Sequence, residues 1–358
     1  MSGDFGVNGS ALNWLRTFVS GRTQYVGVGA ARSVTVDCQS GVPQGSVLGP
    51  LLFAIYISPI ADIVAAHSLR YHQYADDTQL YMAMKPGADV TFGALSECVN
   101  DICRWFLENG MLLNPSKTEA VLFGTRLQRD KIDTAIGVDV AGALIQFSDS
   151  VKLFGVNLDA MLSFDRHVKE VIRSCSYHTR ALRHIRPSLN LEAAKMIAQG
   201  IVSARLDYCN SLLHGTSAGN LDRLQVAQNA LARAVCQAPW SSSATELRHS
   251  LHWLPVRQRI DYKIATITYK TRTTNNPSYL ASLIHDYSPQ RTLRSSNQHL
   301  LVKPFVKLAF ANKAFSVSAP SIWNSLSFHC RSSTSAYTFK RLLKTESFSA
   351  AYGHAFPT

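Results

Sequence analysis

Residues 71–82 read Tyr71-His72-Gln73-Tyr74-Ala75-Asp76-Asp77-Thr78-Gln79-Leu80-Tyr81-Met82, and the rest of the chain is arranged around them. Two runs that favour extended backbone flank an Asp-Asp pair placed where a hairpin turns; one carries Leu69, Tyr71 and Tyr74, the other Leu80, Tyr81 and Met82. Such a hairpin sets both carboxylates at its tip. Neighbouring like charges repel, so a paired-aspartate tip between apolar strands is best understood with a divalent cation neutralising it. An all-oxygen donor set favours magnesium or manganese, and ions of that kind serve phosphoryl transfer. An Asp-Asp pair is also what an ordinary polar turn contains, and this stretch by itself does not separate the two readings.

Upstream lies Ser40-Gly41-Val42-Pro43-Gln44-Gly45-Ser46-Val47-Leu48-Gly49-Pro50-Leu51-Leu52-Phe53, and downstream lies Asn114-Pro115-Ser116-Lys117-Thr118. The three blocks, in this order and spacing, closely resemble the reverse transcriptases of non-long-terminal-repeat retrotransposons, of the jockey or chicken-repeat type. The resemblance runs from about residue 5 to near the C-terminus. It implies an α+β fold in which residues 1–160 form a partial polymerase palm, an antiparallel sheet with packed helices. Residues 161–240 would form a basic helical thumb, and residues 241–358 a mixed, partly helical tail.

The implied activity is RNA-directed DNA polymerisation, a two-metal nucleotidyl transfer with an RNA template, a DNA primer and deoxynucleoside triphosphates as partners. By the same resemblance Asp76 and Asp77 hold Mg2+, with Mn2+ as a substitute, and Lys117 donates a proton to the leaving pyrophosphate. Gly41, Gln44, Gly45, Tyr74 and Ala75 would lie against template and incoming nucleotide, and Leu153 and Gly155 would belong to a primer-grip hairpin. Taken alone, a glycine-rich loop before a helix and a lysine in a turn are equally read as structural features.

Palms of this family hold their metals with three carboxylates, the third from a strand preceding the helix read here at residues 8–20. Only Asp4 precedes that helix, in a Met-Ser-Gly-Asp-Phe context unlike the family's apolar strand, so the role is not carried onto it. The expectation is therefore an N-terminally truncated palm lacking fingers and first catalytic strand, with weak metal binding and no primer extension by this chain alone. The alternative is a catalytically inactive remnant that retains nucleic-acid binding.

Composition agrees with a nucleic-acid partner without requiring one. The chain has 358 residues, is 46% apolar and carries a net charge of +12. Residues 1–160 hold 11 Lys/Arg against 15 Asp/Glu, whereas residues 161–358 hold 25 against 9. An acidic part that holds cations and a basic part that holds phosphates is the distribution a metal-dependent polymerase needs. Seven scattered cysteines, without a Cys-x-x-Cys pair, read as reduced thiols and present no zinc site. The N-terminus shows no secretory pattern, and the most apolar run, Val47–Ala61, is interrupted by Pro50 and Pro59, so no membrane partner is expected. The chain reads as intracellular, in cytoplasm or nucleus.

Local patterns supply the remaining elements. Leu12, Leu15, Phe18 and Val19 predict a short helix, and Thr23–Val28 with Ser33–Cys38 a hairpin. Pro50 opens a helix through Leu51, Leu52, Ile55 and Ile60. Leu95, Val99, Ile102, Phe106 and Leu107 predict one over residues 92–109, stopped by Gly110. Ile136–Val140 and Ala143–Phe147 read as short strands, and Val151–Asp159 as a hairpin. Asp159 and Asp165 read as cap or turn residues. From His167 the chain is helical and basic, with Arg166, Lys169, Arg173, Arg180, Arg183 and Arg186 as a row that can meet phosphates. Further helices are read at Leu191–Leu213, Leu221–Cys236 and Arg257–Thr273.

Overall fold

Short antiparallel ribbons lie among helices in the N-terminal part, and helices dominate from residue 165 onward, so the architecture is α+β. The computed structural model describes residues 5–39, 41–42, 45–84, 92–132, 137–288 and 298–353. Two units divide the chain, one of residues 1–120 and 131–147, the other of residues 121–130 and 148–358.

In the first unit the aspartate hairpin pairs Arg70–Tyr74 with Asp77–Tyr81, joining Tyr71 to Leu80, Gln73 to Thr78 and Tyr74 to Asp77. Side chains alternate across a strand, so Tyr71, Gln73, Thr78 and Leu80 share one face while Arg70, His72, Tyr74, Asp77, Gln79 and Tyr81 share the other. The first face is turned inward: Tyr71 and Leu80 pack against Ile57, Ile60, Val64, Cys98 and Ile102. Those core residues come from the helices Ile60–Ala66 and Gly93–Glu108 and from the turn before the first of them, with Phe53 of helix Gly49–Tyr56 packed against them. The antiparallel strands with packed helices expected of this part are present as two-stranded ladders, and the aspartate hairpin carries no third strand among the described residues. Helices on one face supply the burial that a wider sheet would otherwise provide.

The single helix expected after Pro50 is two. Gly49–Ala66 is apolar enough by length and composition to cross a membrane, with a mean hydropathy of 1.7, but its halves part at Ile57–Pro59. Pro59 has no amide hydrogen to donate and disfavours helical geometry at Ser58. The helix Gly93–Glu108 follows its predicted stripe except at Leu107, which faces outward while Cys98 takes the buried position. Gly110, at φ 68°, ends it, and the Met111 N–H returns to the Phe106 carbonyl at 2.7 Å. Val138–Val140 and Ala143–Ile145 form a hairpin over a left-handed Ala141-Gly142 turn; Ile136 of the predicted strand lies outside the described residues.

In the second unit, Ser150–Leu153 and Val156–Asp159 pair through Phe154-Gly155, both with positive φ, the geometry of a tight primed turn. Asp159 then acts as the turn anchor expected of it, accepting the backbone N–H groups of Met161, Ser163 and Phe164. The long helix Asp165–Ile185 packs on Ala218–Cys236. Leu191–Leu213 is interrupted rather than continuous: helix over Leu191–Ile197, a π segment at Ala198–Ser203, a turn of helix at Ala204–Asp207, then a left-handed Cys209 before a 3-10 turn. Beyond these, Val256–Thr274, Phe315–Ser325 and Ala336–Tyr352 close a smaller core around Tyr269, Trp323 and Phe339.

Candidate active site

The tip of the aspartate hairpin is a two-residue turn, Ala75-Asp76, between paired Tyr74 and Asp77. Ala75 sits at φ 52°, a conformation that normally belongs to glycine at the first position of such turns. An L-residue there costs about 1–2 kcal/mol, which the core beneath the ribbon offsets. Asp76 is therefore presented at the turn itself, and Asp77 on the outward face beside Tyr74. Both carboxylates are exposed, and neither takes part in a hydrogen bond or ion pair among the described residues. Tyr74 is 70% exposed. The ribbon behind them is stiffened on the same face by His72, which stacks on Tyr81 at 5.2 Å, and on the other by the Gln73 amide donating to the Thr78 hydroxyl at 3.1 Å.

His72 and Tyr81 were not among the residues singled out from sequence. The alternation that places Tyr71 and Leu80 inward puts them on the aspartates' side, and that parity was legible in the quoted stretch.

The other expected residues lie on separate segments. Gly41 and Gly45 have φ of 79° and 81°, and a side chain at either would meet nothing within 4 Å, so both glycines serve backbone conformation with open space beside them. The Arg22 guanidinium donates to the Gly41 carbonyl. Gln44 and Asp4 lie outside the described residues. Lys117 ends a 3-10 turn, Pro115–Lys117, locked by the Asn114 side chain accepting the Ser116 N–H at 3.0 Å. No described hydrogen bond links Gly41, Gly45 or Lys117 to either carboxylate.

In the second unit, Leu153 is half-buried at the end of its strand and Gly155 makes the turn. The Tyr208 ring lies 3.8 Å from where a Gly155 side chain would begin. The groove beside this turn, about 570 Å³, includes Lys152, His167, Glu170 and Arg205. Burial pushes the His167 pKa below its ordinary value; Lys152 acts the same way and Glu170 opposes it.

The basic row is shorter than expected. Arg166, Lys169, Arg173, Arg180 and Arg183 are exposed along Asp165–Ile185 with Tyr177 among them. Arg186 is buried: its Nε donates to the Val235 carbonyl at 2.7 Å and its Nη1 to Leu189 at 2.6 Å. There it caps the C-terminal carbonyls of Ala218–Cys236 and is not offered to phosphates.

The donor chemistry at the hairpin tip, adjacent unpaired carboxylates, fits a hard dication. Among the described residues no group of three His, Cys, Asp or Glu side chains gathers into a metal cluster. Two protein ligands would leave most positions around such an ion to water or other oxygen donors.

Residues 4–158 match the family described as reverse transcriptase (RNA-dependent DNA polymerase). The probable RNA-directed DNA polymerase from transposon BS of Drosophila melanogaster is 25% identical over 288 residues, 78% of this chain and 31% of that protein. The RNA-directed DNA polymerase from mobile element jockey of Drosophila funebris is 27% identical over 277 residues, 75% of this chain and 29% of that protein. The Pol polyprotein from the type-1 retrotransposable element R1 of Nasonia vitripennis is 22% identical over 231 residues, 60% of this chain and 65% of that protein. The chain thus spans less than a third of the length of these two Drosophila relatives. No solved structure matches the chain.

Proposed function

Because this chain belongs to the reverse transcriptases of non-long-terminal-repeat retrotransposons, we propose that it contributes the palm and thumb of an RNA-directed DNA polymerase. The observation that carries this reading is the partner-free pair Asp76 and Asp77 on the rigid tip of a ribbon whose opposite face is packed. Asp76 and Asp77 would hold Mg2+ or Mn2+. When bound, the ion neutralises the pair and polarises the phosphate under attack.

The chain's own residues orient the reactants. Gly41 and Gly45 leave the backbone of their loop open to template and incoming nucleotide, with Tyr74 and Ala75 beside the carboxylates. Lys117 supplies a proton to departing pyrophosphate. Leu153 and Gly155 contact the primer strand. Residues 1–160 serve as palm, residues 161–240 as thumb and residues 241–358 as tail, with an RNA template, a DNA primer and deoxynucleoside triphosphates as substrates.

A second reading, nucleic-acid binding without polymerisation, is favoured by the charge distribution. Residues 161–358 carry a net +16, whereas the part bearing the aspartates carries −4. Primer extension on an RNA template, run with this chain supplemented upstream by fingers and a first catalytic strand and beside equilibrium binding of the same primer-template, separates the two. Extension that disappears in both Asp76→Asn and Asp77→Asn supports the polymerase. Tight binding without extension supports the second reading, and extension that survives both substitutions overturns the assignment of the site.

A further inference from the structure

Within the second unit a groove of about 530 Å³ opens between helix Val256–Thr274, helix Ala336–Tyr352 and the segment containing the π turn. Three lysines line it: Lys263 from the first helix, and Lys340 and Lys344, one turn apart, from the second. None of the three forms an ion pair among the described residues. The one carboxylate lining the groove, Asp207, is occupied. Arg259 grips both its oxygens, with Nε to Oδ1 at 2.8 Å, and the Asn210 amide also donates to it. The three lysines therefore line one groove without a counter-charge among the described residues, an arrangement that an anion stabilises.

A second observation is independent of charge. Three residues lining the groove, Ser203, Asn210 and Trp253, are more than nine-tenths buried, and each keeps one polar atom without a partner: Ser203 Oγ, Asn210 Oδ1 and Trp253 Nε1. Buried polar groups of native proteins are rarely left so, and three in one place call for a ligand or bound solvent. The carbonyls of the turn carrying Trp253 are occupied, the Tyr352 hydroxyl donating to that of Trp253 at 2.6 Å and the Gln228 amide to that of Leu254 at 2.9 Å, while the indole N–H has no partner. Ser203 closes the π segment, a local widening of helix that recurs at functional sites.

The uncommitted groups lining the groove carry an excess of positive charge: three ammonium groups stand beside an indole N–H, the Ser203 hydroxyl and the amide oxygens of Asn210 and Gln199. Ammonium groups in that excess recognise phosphate oxygens, and the amide oxygens beside them suit a sugar hydroxyl or a base amine. We propose that this groove is a phosphate-binding site for nucleotide chemistry, taking a phosphorylated sugar either from a nucleic-acid strand or from a free nucleotide. It is built from the tail and the π-containing helix and owes nothing to Asp76 or Asp77.

The test uses the full chain and no polymerase readout, so its failure leaves the polymerase reading untouched. Anisotropy measures binding of two fluorescent probes, a short 5′-phosphorylated single-stranded oligonucleotide and a nucleoside triphosphate. Each is titrated against the wild type, the groove variant Lys263→Gln/Lys340→Gln/Lys344→Gln, and a charge-matched control, Arg257→Gln/Lys270→Gln/Lys307→Gln. All six positions are exposed, and circular dichroism verifies the fold.

The groove variant is expected to weaken one probe at least tenfold and the control less than twofold. The probe that loses affinity identifies the source of the phosphate. For the oligonucleotide, losing three phosphate contacts lowers the slope of log affinity against log salt by about 2. The Trp253 indole N–H resonance, assigned with Trp253→Phe, is expected to shift on titration with that probe. Equal losses in groove and control variants, no loss for either probe, or an unmoved indole resonance would each overturn the proposal.

Discussion

The Tyr208 hydroxyl donates a 2.7 Å hydrogen bond to the Phe154 carbonyl, tying the turn of the 150–159 hairpin to the residue that ends the π-containing helix. The turn has two left-handed residues, and this bond ties it from outside the ribbon. Tyr208→Phe removes that link at a cost of about 1 kcal/mol. Gly155→Ala, at φ 79°, costs about 1–2 kcal/mol through backbone strain. Chemical denaturation of both variants checks these values, and a Gly155→Ala variant as stable as wild type would refute the turn geometry.

Asp159 sets a pH dependence whose sign can be worked out. Burial alone would raise its pKa, but the N–H groups of Ser163, Phe164 and Met161, with the Ser163 side chain, hold it below the usual carboxylate value. A carboxyl lowered on folding stabilises the native state above its unfolded pKa, near 3.9, and that contribution is lost as pH falls through the folded value. Asp159→Asn is expected to cost about 1–3 kcal/mol at neutral pH. The gap from wild type should narrow as unfolding is measured at successively lower pH below 4. A gap independent of pH would show that the carboxylate charge does not matter there.

Arg180 and Arg186, neighbours in the same basic run, should behave in opposite ways. Arg186→Ala leaves the Val235 and Leu189 carbonyls without their charged donor and is expected to cost about 2–3 kcal/mol of stability. Arg180→Ala, exposed, should change stability by less than about 0.5 kcal/mol. If Arg180 contacts a phosphate, its loss should reduce the salt slope of duplex binding by about 0.9. Thermal melts and binding isotherms on the two variants read both effects.

Cysteine reactivity should divide by burial. Desolvation is the main reason the thiols of Cys98 and Cys175 are pushed up to about 11 and that of Cys330 to about 12, so their thiolates are scarce at neutral pH. Cys38 and Cys209 are only half-buried. Alkylation of the native protein with iodoacetamide, followed by mass spectrometry, should label Cys38 and Cys209 first and reach Cys98, Cys175 and Cys330 only on unfolding. Early labelling of Cys330 would contradict the packing of the tail core.

Sequence alone determined what depends on neighbours a few residues away. The extended runs on either side of Asp76 and Asp77 located the hairpin and put the pair at its tip. Gly110 marked where a helix stops, Asp159 was recognisable as a cap or turn residue, and the three motif blocks carried the resemblance.

Only the tertiary structure decided what depends on which faces meet. Arg186 and Arg180 carry the same local signal, yet one is buried because the end of Ala218–Cys236 happens to lie against it. That the antiparallel strands are two-stranded ribbons, and which helices cover the inward face of Tyr71 and Leu80, were settled by packing. Ser203, Trp253 and Lys344 converge on one groove from segments far apart in the chain. No periodicity records such an encounter, since burial of one segment by another is set by the packing of the whole unit and not by the residues beside it.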